Sequence, residues 1–344
     1  METAVTCNPL CGETIGYMQL PRVALVNDVA GVAKVEMEIL KGAGFEVDFY
    51  ELPLIGASWP TFAKAVVLPV RLAAYLPVIR KLRRGNYQLL HIHFVSQGVV
   101  GLAVGKPFFI HAHGSDLHAN FKNPLKRALS LLVLRRARGI FYVTPNLRTY
   151  LEPFAQKAHL LGNPLDISLF PPRRAVSTIS QVLIFTRLDQ IKGVDRIFER
   201  ARELAALVTV TAVAWGPLTG DYAKRYAPFV RFIPPVPHNE IPALLQQFDA
   251  VVGQMGQGVL GLSELEALGA GRIVFANLDV KLYPDDPPPV VDIKDGGDLI
   301  RELRSLMGNP NQIRALSQVG SRWVERHHSP QKHLEGLRRE YLRS

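Results

Sequence analysis

The stretch "QVLIFTRLDQIKGVDRIFE", residues 181–199, decides the fold. It begins with an apolar run as long as a buried strand, continues through a polar turn, and passes into a helical pattern near residue 193. A strand that leads directly into a helix is the repeating unit of parallel sheets with helical crossovers. The same alternation continues along nearly the whole chain, so the sequence predicts an α/β protein with doubly wound, Rossmann-like sheets.

The chain has 344 residues, which is too long for one compact core and suits two α/β domains. The segment "GNPLDISLFPPRRAVSTIS", residues 162–180, has neither a helical nor a strand period and separates two series of alternating elements. We therefore predict a tail over residues 1–17, a first domain over 18–165 and a second over 166–322. The basic helical segment over 323–344 is predicted to pack back on the first domain.

The composition is typical of a well-packed globular protein, with 48% apolar and 20% charged residues. No run approaches the roughly 20 apolar residues that cross a bilayer, and the N-terminus lacks the pattern of a secretory signal peptide. We therefore expect a cytoplasmic protein.

The net charge of +10 is concentrated between Arg71 and Arg138, where twelve lysines and arginines accompany a single acid, Asp116. Such a region attracts polyanions such as nucleic acid, anionic lipid head groups or phosphorylated substrates, or it is simply a solvated basic face. No helix-turn-helix pattern or interleaving of aromatic and basic residues accompanies the charge, which argues against nucleic acid.

Residues 70–84, "VRLAAYLPVIRKLRR", mix apolar and basic side chains as membrane-surface helices do. We therefore expect peripheral binding to an anionic membrane on its cytoplasmic face. Pro69 and Pro77 are expected to prevent one straight helix here.

Ligands of open α/β sheets bind beyond the carboxyl ends of the strands, so functional residues are expected just after strands. Gly31, in "VNDVAGVAK" at 26–34, is either a point of close ligand approach or an ordinary loop glycine. This turn lacks the three spaced glycines of dinucleotide oxidoreductases. In "HAHGSDLH", His113 is expected to face a cleft, and Ser115 and Asp116 are candidates to cap the next helix or to contact a ligand.

Several residues of types that bind metals occur in the first half of the chain: Cys7, Cys11, His91, His93, His111, His113 and His118. The two cysteines have no second pair to complete a zinc site. The alternation in "HIHF" and "HAHG" places the histidine pairs on separate strands, and no nearby carboxylate or cysteine spacing completes a site. We therefore expect neither a metal nor a cofactor.

Two further candidates lie in the second half. Arg187 and Lys192 flank the turn after the strand at 181–186, where two cations beside a helix N-terminus form a receptor for a diphosphate. In "VVGQMGQGVLGLSELEALGAGRIVF", residues 251–275, the loop glycines allow backbone N–H groups to reach a phosphate. Glu266, on the helix that follows, can accept hydrogen bonds from ribose hydroxyls.

Nearly the whole chain resembles the large family four of retaining glycosyltransferases, which have the GT-B fold of two facing Rossmann-like domains. The motifs that carry the resemblance are "HAHGSD", "VTPNLRTYL", "GNPLDISLF", "TRLDQIKG" and "GLSELEALGAG". The resemblance implies transfer of a sugar from a nucleotide-diphosphate donor, with retention at the anomeric carbon and no metal requirement. A lipid-linked or glycolipid acceptor on the side of the first domain is the partner that we expect.

The resemblance also implies roles for single residues. Arg187 and Lys192 would bind the donor diphosphate and stabilise the departing charge, Glu266 would hold the ribose, and His113 would lie near the sugar. The remaining donor-side candidates are Gly31, Gly258, Gly261, Leu262 and Gln254, and the acceptor-side candidates are Ser115 and Asp116.

Gly258 departs from the family pattern, because the first glutamate of the paired-glutamate motif usually stands at this position. We expect Gln254 and Gln257 to replace it with neutral hydrogen bonds, and a Gly258→Glu variant to be tolerated or to change donor choice. Two alternatives to a transferase remain. A sugar-nucleotide epimerase of the same architecture would act on the donor alone, and a catalytically silent relative would bind the sugar nucleotide or a membrane without transfer.

Overall fold

A computed structural model describes residues 20–53, 55 and 61–343. The predicted tail over 1–17, with Cys7 and Cys11, lies outside the described residues. Two six-stranded sheets dominate the described part of the chain, and every strand pair in them is parallel.

The first sheet has the order β2-β1-β3-β4-β5-β6. Its strands are β1 (Val23–Val26), β2 (Val47–Tyr50), β3 (Leu89–His93), β4 (Phe108–Ala112), β5 (Gly139–Tyr142) and β6 (Ala158–Leu160). Its helices are α1 (Val32–Gly42), α2 (Thr61–Arg84), α3 (Val99–Val104), α4 (Ser115–Asn120), α5 (Pro124–Arg136) and α6 (Arg148–Leu151).

The second sheet has the order β12-β11-β10-β7-β8-β9. Its strands are β7 (Gln181–Ile184), β8 (Thr209–Val213), β9 (Arg231–Ile233), β10 (Ala250–Val252), β11 (Ile273–Ala276) and β12 (Val291–Asp292). The helices of this half are α7 (Asp195–Phe198), α8 (Ala201–Ala205), α9 (Thr219–Tyr226), α10 (Ile241–Leu245), α11 (Leu262–Gly269), α12 (Gly296–Met307) and α13 (Pro310–His328), and α14 (Pro330–Tyr341) ends the chain.

Apolar side chains cover both faces of each sheet, as parallel sheets require. In the first sheet, Ile92 and Ile110 belong to one buried cluster and Leu25 and Phe109 to the cluster on the other face. The second sheet likewise separates two buried clusters. The predicted α/β class with two Rossmann-like sheets is confirmed.

The C-terminal helix returns to the first sheet, as predicted. Trp323 of α13 is still part of a core of the second half, whereas Leu337 and Tyr341 of α14 are buried with β1 and β4. The polypeptide thus crosses between the halves near Ser329, which caps α14 by accepting a hydrogen bond from the backbone N–H of Lys332. The first crossing between the halves, in the linker that begins at residue 162, lies against this second one. The backbone N–H of Leu165 in the linker donates to the carbonyl of His328 at 2.7 Å.

Helix α2 is continuous across the two prolines that were expected to prevent one straight helix here. It runs as one helix through Pro69 and Pro77. Both prolines are exposed, so the carbonyls that lose a hydrogen-bond partner can be solvated. None of the helices in the described residues combines the length and the apolar character that a bilayer crossing requires.

Candidate active site

The order of the strands locates a cleft before any side chain is considered. β1 is paired with β3 and β7 with β10, so each sheet has its topological switch point between these strands. Ligands of doubly wound sheets bind outside the carboxyl ends of the strands at such points. A cleft of about 1050 Å³ lies there between the two halves, which is large enough for a sizeable organic ligand.

The turn after β7 carries the two predicted cations into this cleft. Arg187 and Lys192 both line it, and Arg187 forms an ion pair with Asp189. Asp189 also caps the short 3-10 turn at 190–192 by accepting a hydrogen bond from the backbone N–H of Ile191 at 3.0 Å. Gly193 then takes a left-handed conformation, with φ of 67°. The turn is thereby held in a defined shape that presents both cations on one side.

Lys192 lies beside the N-terminus of α11. A Cβ atom placed on Gly261, the residue that precedes this helix, would lie 4.0 Å from Lys192 Nζ. Gly261 and Leu262 both line the cleft, so the structure brings these donor-side candidates together with the cations. A cation beside the positive end of a helix forms a strongly anion-attracting position.

Glu264, which the sequence analysis did not single out, organises the loop before α11. One carboxylate oxygen accepts from the backbone N–H of Gln254 and the other from that of Gly261, both at 2.8 Å. A glutamate three residues after the helix cap is a recognisable signal, since its carboxylate can accept from the backbone N–H of the cap residue, which here is Gly261. The loop that faces the cleft is therefore fixed by a buried carboxylate.

The structure does not support the expectation that the Gln254 amide contacts a ligand. Gln254 is fully buried, and its side chain donates to the carbonyl of Val259 and accepts from the N–H of Gln257 at 3.1 Å. The amide thus shapes its own loop, whose backbone needs partners inside the protein. Gln257 does line the cleft.

Gly258 is required by the backbone of this loop. Its φ is +67°, and an added Cβ atom would lie 3.1 Å from the Cβ atom of Asp279. A side chain here is strained by both the conformation and the contact. The conformation and the contact both argue against the expectation that Gly258→Glu is tolerated, which stays a prediction to be tested.

Glu266 is buried on α11, one turn after Leu262, and lies outside the wall of the cleft. Its Oε1 atom lies 2.8 Å from Nε2 of His238, whose side chain is about half exposed. Burial raises the pKa of Glu266, and the hydrogen bond to Glu266 raises the pKa of His238. The carboxylate that was expected to hold a ribose is therefore occupied by a histidine that solvent can reach.

On the side of the first sheet, His113 and Ser115 line the cleft, as expected of them. Burial lowers the pKa of His113, so its imidazole is neutral at neutral pH. Asp116 is buried instead and accepts from the backbone N–H groups of Val95 and Leu117 at 2.8 and 3.0 Å. Both of its oxygens serve the backbone, so the structure does not support its predicted place on the acceptor side.

Gly31 begins α1 in a left-handed conformation with φ of +81°, and no atom lies within 4 Å of an added Cβ. Glycine is therefore favoured here by the left-handed backbone conformation of the turn, since a side chain would meet no neighbouring atom. Its neighbours Ala30 and Val32 line the cleft, whereas Gly31 does not.

Several cleft residues were not anticipated from the sequence. Asn146 and Trp215 follow β5 and β8, where strand ends would have indicated them. Lys332 and Arg339 reach the cleft from α14, and only the return of this helix places them there. The charge of Lys192 contributes to the lowered pKa of His118, after burial and Lys122, so side chains of the two halves face each other.

The expectation that no carboxylate accompanies the histidines is wrong. Glu36 of α1 lies among His91, His93 and His111, and all four side chains are fully buried. β3 and β4 are adjacent, with His93 opposite His111, so the two histidine pairs meet on one face of the sheet. Burial lowers the pKa of His91 and of His93, which keeps these imidazoles neutral.

Known proteins support the architecture. Residues 40–169 match the sequence model of Glycosyltransferase Family 4. No curated protein is significantly similar to the chain in sequence.

Three solved structures are similar over nearly the whole chain. Sucrose-phosphate synthase from Thermosynechococcus elongatus has a TM-score of 0.74 at 16% identity and covers 93% of this chain and 98% of its own. HepE of Anabaena in complex with UDP and glucose has a TM-score of 0.70 at 13% identity, with coverage of 93% and 98%. AviGT4, a glycosyltransferase involved in avilamycin A biosynthesis, has a TM-score of 0.60 at 20% identity, with coverage of 94% and 97%. These similarities confirm the GT-B fold.

Proposed function

We propose that the chain is a glycosyltransferase that binds a nucleotide-diphosphate sugar in the cleft between its two halves and transfers the sugar to an acceptor. The observation that carries the proposal is the convergence of Arg187, Lys192 and the start of α11 on one side of the cleft, opposite His113. Two cations and a helix N-terminus suit a diphosphate. The GT-B fold and the family match over 40–169 agree with this function.

The chemistry assigned to these groups is electrostatic. When the bond from the anomeric carbon to the diphosphate breaks, negative charge grows on the departing phosphate, and Arg187 and Lys192 stabilise it without a metal ion. His113, which is neutral, can donate a hydrogen bond to a sugar hydroxyl or accept one from it. We further propose that the reaction retains the anomeric configuration, with the departing phosphate taking the acceptor proton, so that no protein nucleophile is required.

Recognition of the nucleotide is assigned to α11. Glu266 would accept hydrogen bonds from the ribose hydroxyls after His238 has moved aside, which its half-exposed side chain allows. Because HepE was crystallised with UDP and glucose, UDP sugars are the first donors to test. With glycine at 258, contacts to the sugar fall to Gln257 and the other groups of the cleft wall.

A membrane-bound acceptor is the second part of the proposal. Leu125, Leu129 and Leu132 are exposed along one stripe of α5, and Leu125 is 81% exposed. α2 also exposes apolar side chains, and both helices contact α3 on the same face of the first sheet. Apolar stripes flanked by lysines and arginines bind anionic membrane surfaces. A lipid-linked or glycolipid acceptor would then reach the cleft from the first half.

Asp116, the one acidic residue between Arg71 and Arg138, does not reduce the positive charge on the surface that α2 and α5 form. Asp116 is buried, so the exposed part of the segment carries only basic charged groups among the residues whose side chains the structure describes. This arrangement favours anionic lipids over zwitterionic ones.

A thermal-shift screen of the full chain against UDP, GDP and ADP sugars tests donor binding, followed by transfer assays with the donor that stabilises it. We expect Lys192→Ala to lower kcat/KM about 100- to 1000-fold, because it removes a cation at the departing phosphate. Lys224→Ala, which removes an exposed lysine of α9 outside the cleft, is the matched control and should leave the rate unchanged.

Three outcomes would contradict the proposal. Unaltered transfer by the Lys192 variant would remove the role of this cation. Conversion of the donor without any acceptor would indicate an epimerase instead. Donor binding with neither hydrolysis nor transfer, over a range of acceptors, would indicate a silent relative.

A further inference from the structure

A second cluster of chemically reactive side chains lies inside the first half, directly behind the part of the cleft wall that His113 and His333 form. It consists of Glu36 on α1, His91 and His93 on β3 and His111 on β4, and each of these side chains is 0% exposed. The glycosyltransferase chemistry proposed above uses none of them. Burying a carboxylate together with three imidazoles is costly unless each polar atom has a partner.

Three of the distances between the polar atoms are close to the spacing of ligands around a common centre. Glu36 Oε2 lies 3.0 Å from His93 Nε2, Glu36 Oε1 lies 3.1 Å from His111 Nδ1, and His91 Nε2 lies 3.2 Å from His111 Nδ1. The distance from His91 Nε2 to Glu36 Oε2 is 3.8 Å. Each of the four residues offers one ligand atom, and these four atoms all lie within 4.8 Å of one another. Ligands that are about 2.0–2.1 Å from a tetrahedral zinc ion are about 3.3 Å from one another.

Two of these atoms approach each other without bonding. Glu36 Oε2 and His93 Nε2 are only 3.0 Å apart, yet neither forms a hydrogen bond with suitable geometry to any described residue. A buried carboxylate oxygen and a buried imidazole nitrogen would normally align with each other. Their failure to do so is explained if both direct a lone pair at a third atom.

We infer that Glu36, His91, His93 and His111 bind one divalent transition-metal ion, with Zn²⁺ as the best match. Imidazole nitrogen with one carboxylate is a ligand set that zinc accepts, and the short contacts of 3.0–3.2 Å are near the spacing of a tetrahedral site. With all four ligands buried, the site is structural and is separate from the donor diphosphate.

Outer contacts hold the ligands in place. His333 of α14 lies 2.8 Å from Glu36 Oε1, and Nδ1 of His93 lies 3.0 Å from Nε2 of His113. Nδ1 of His91 is hydrogen-bonded to the hydroxyl of Tyr341. Such hydrogen bonds to the second nitrogen of a ligating histidine orient the ring and are characteristic of metal centres.

A metal ion at this point would connect four elements of the fold. Glu36 joins α1 to β3 and β4, and the contacts of His333 and Tyr341 join α14 to the same centre. Loss of the metal is therefore expected to loosen the docking of the C-terminal helix as well as the first sheet.

The test measures metal content and does not depend on the proposed function. Full-length protein without a histidine tag, expressed in zinc-supplemented medium, should contain about one zinc ion per chain by mass spectrometry. Glu36→Gln and His93→Ala should lose most of this zinc. His159→Ala is the matched control and should retain it, because His159 also pairs with a glutamate of α14, Glu340, at 3.1 Å but lies outside the cluster.

Chelation of the wild-type protein keeps the test decisive if a variant fails to fold. Removal of the metal should lower Tm, readdition of Zn²⁺ should restore it, and Co²⁺ should produce the visible absorption of a tetrahedral site. A wild-type protein that is folded without metal and takes up neither Zn²⁺ nor Co²⁺ would overturn the inference in favour of a hydrogen-bonded network with a protonated histidine. Zinc retained by both cluster variants would overturn it as well.

Discussion

Glu264→Gln tests whether one buried carboxylate holds the loop that faces the donor. The substitution keeps the size of the side chain, so no cavity is created. In the wild type, two backbone N–H groups donate to the carboxylate at 2.8 Å, from Gln254 and Gly261. In the variant, the amide NH₂ must face one of these donors, so that donor loses its acceptor and the other bond is no longer assisted by a full charge.

The expected cost follows from these two bonds. A hydrogen bond to a charged group contributes about 1.5–3 kcal/mol, and a neutral one about 0.5–1.5 kcal/mol. Losing one charged bond and weakening the other lowers the free energy of unfolding of the second half by about 2–4 kcal/mol. Urea denaturation followed by tryptophan fluorescence measures it, because Trp215 and Trp323 both belong to that half. The KM for the donor should rise, since Gly261 lines the cleft.

Glu203→Gln serves as the control. Glu203 is about half exposed and pairs with Arg200 on the surface, so its loss should leave both the denaturation midpoint and the KM nearly unchanged. If Glu264→Gln behaves like this control, the carboxylate does not organise the loop and the reasoning is refuted.

Gly258→Glu should lower Tm and donor affinity together, because its added side chain meets a neighbour at a positive φ; a variant as stable and as active as the wild type would refute this. Leu125→Glu should reduce flotation with anionic liposomes at low salt, whereas Leu169→Glu, at an equally exposed site of the linker, should not. No flotation of the wild type would remove the membrane proposal. The hydrogen bond to Glu266 raises the pKa of His238. While Glu266 is ionised, the contribution of this pair to stability is therefore fully present below about pH 6.5, the unfolded value for histidine, and is lost as pH rises through the folded value. Urea midpoints of the wild type should therefore fall through this range more than those of His238→Gln, and parallel curves would contradict the assignment.

The fold was largely predictable because it depends on a repeated local pattern. Apolar runs such as 181–184 and 250–252 are strands in the structure, and the helical patterns between them are helices. The strands β6 and β12 were missed, since Ala158–Leu160 and Val291–Asp292 are short edge strands with mostly partly exposed side chains. Without a buried face, an edge strand leaves little periodicity to detect.

The candidate site was predictable where it depends on strand ends and less so where it depends on side-chain partners. Arg187, Lys192 and His113 were expected in the cleft and line it. Asp116 and Gln254 were expected to face a ligand, yet both satisfy backbone groups instead. Which partner a polar side chain takes is decided by tertiary packing, and a single sequence does not contain that information in a local form.

Glu36 is a residue of a candidate site that the sequence did not indicate. It lies 55 residues before His91 in the sequence and on a helix that otherwise follows an ordinary amphipathic pattern. Only the packing of α1 over β3 and β4 makes it a neighbour of the histidines. A site that is built from residues far apart in the sequence is therefore not detected by local sequence patterns.

The two passages of the polypeptide between the halves lie side by side, since Leu165 is hydrogen-bonded to His328 and Asn163 accepts a hydrogen bond from the ring of the same histidine. Because the two crossings adjoin, a rotation of one half against the other about this point would leave the hydrogen bonds within both sheets unchanged. The width of the cleft would then depend on backbone torsions at the few residues of the two crossings.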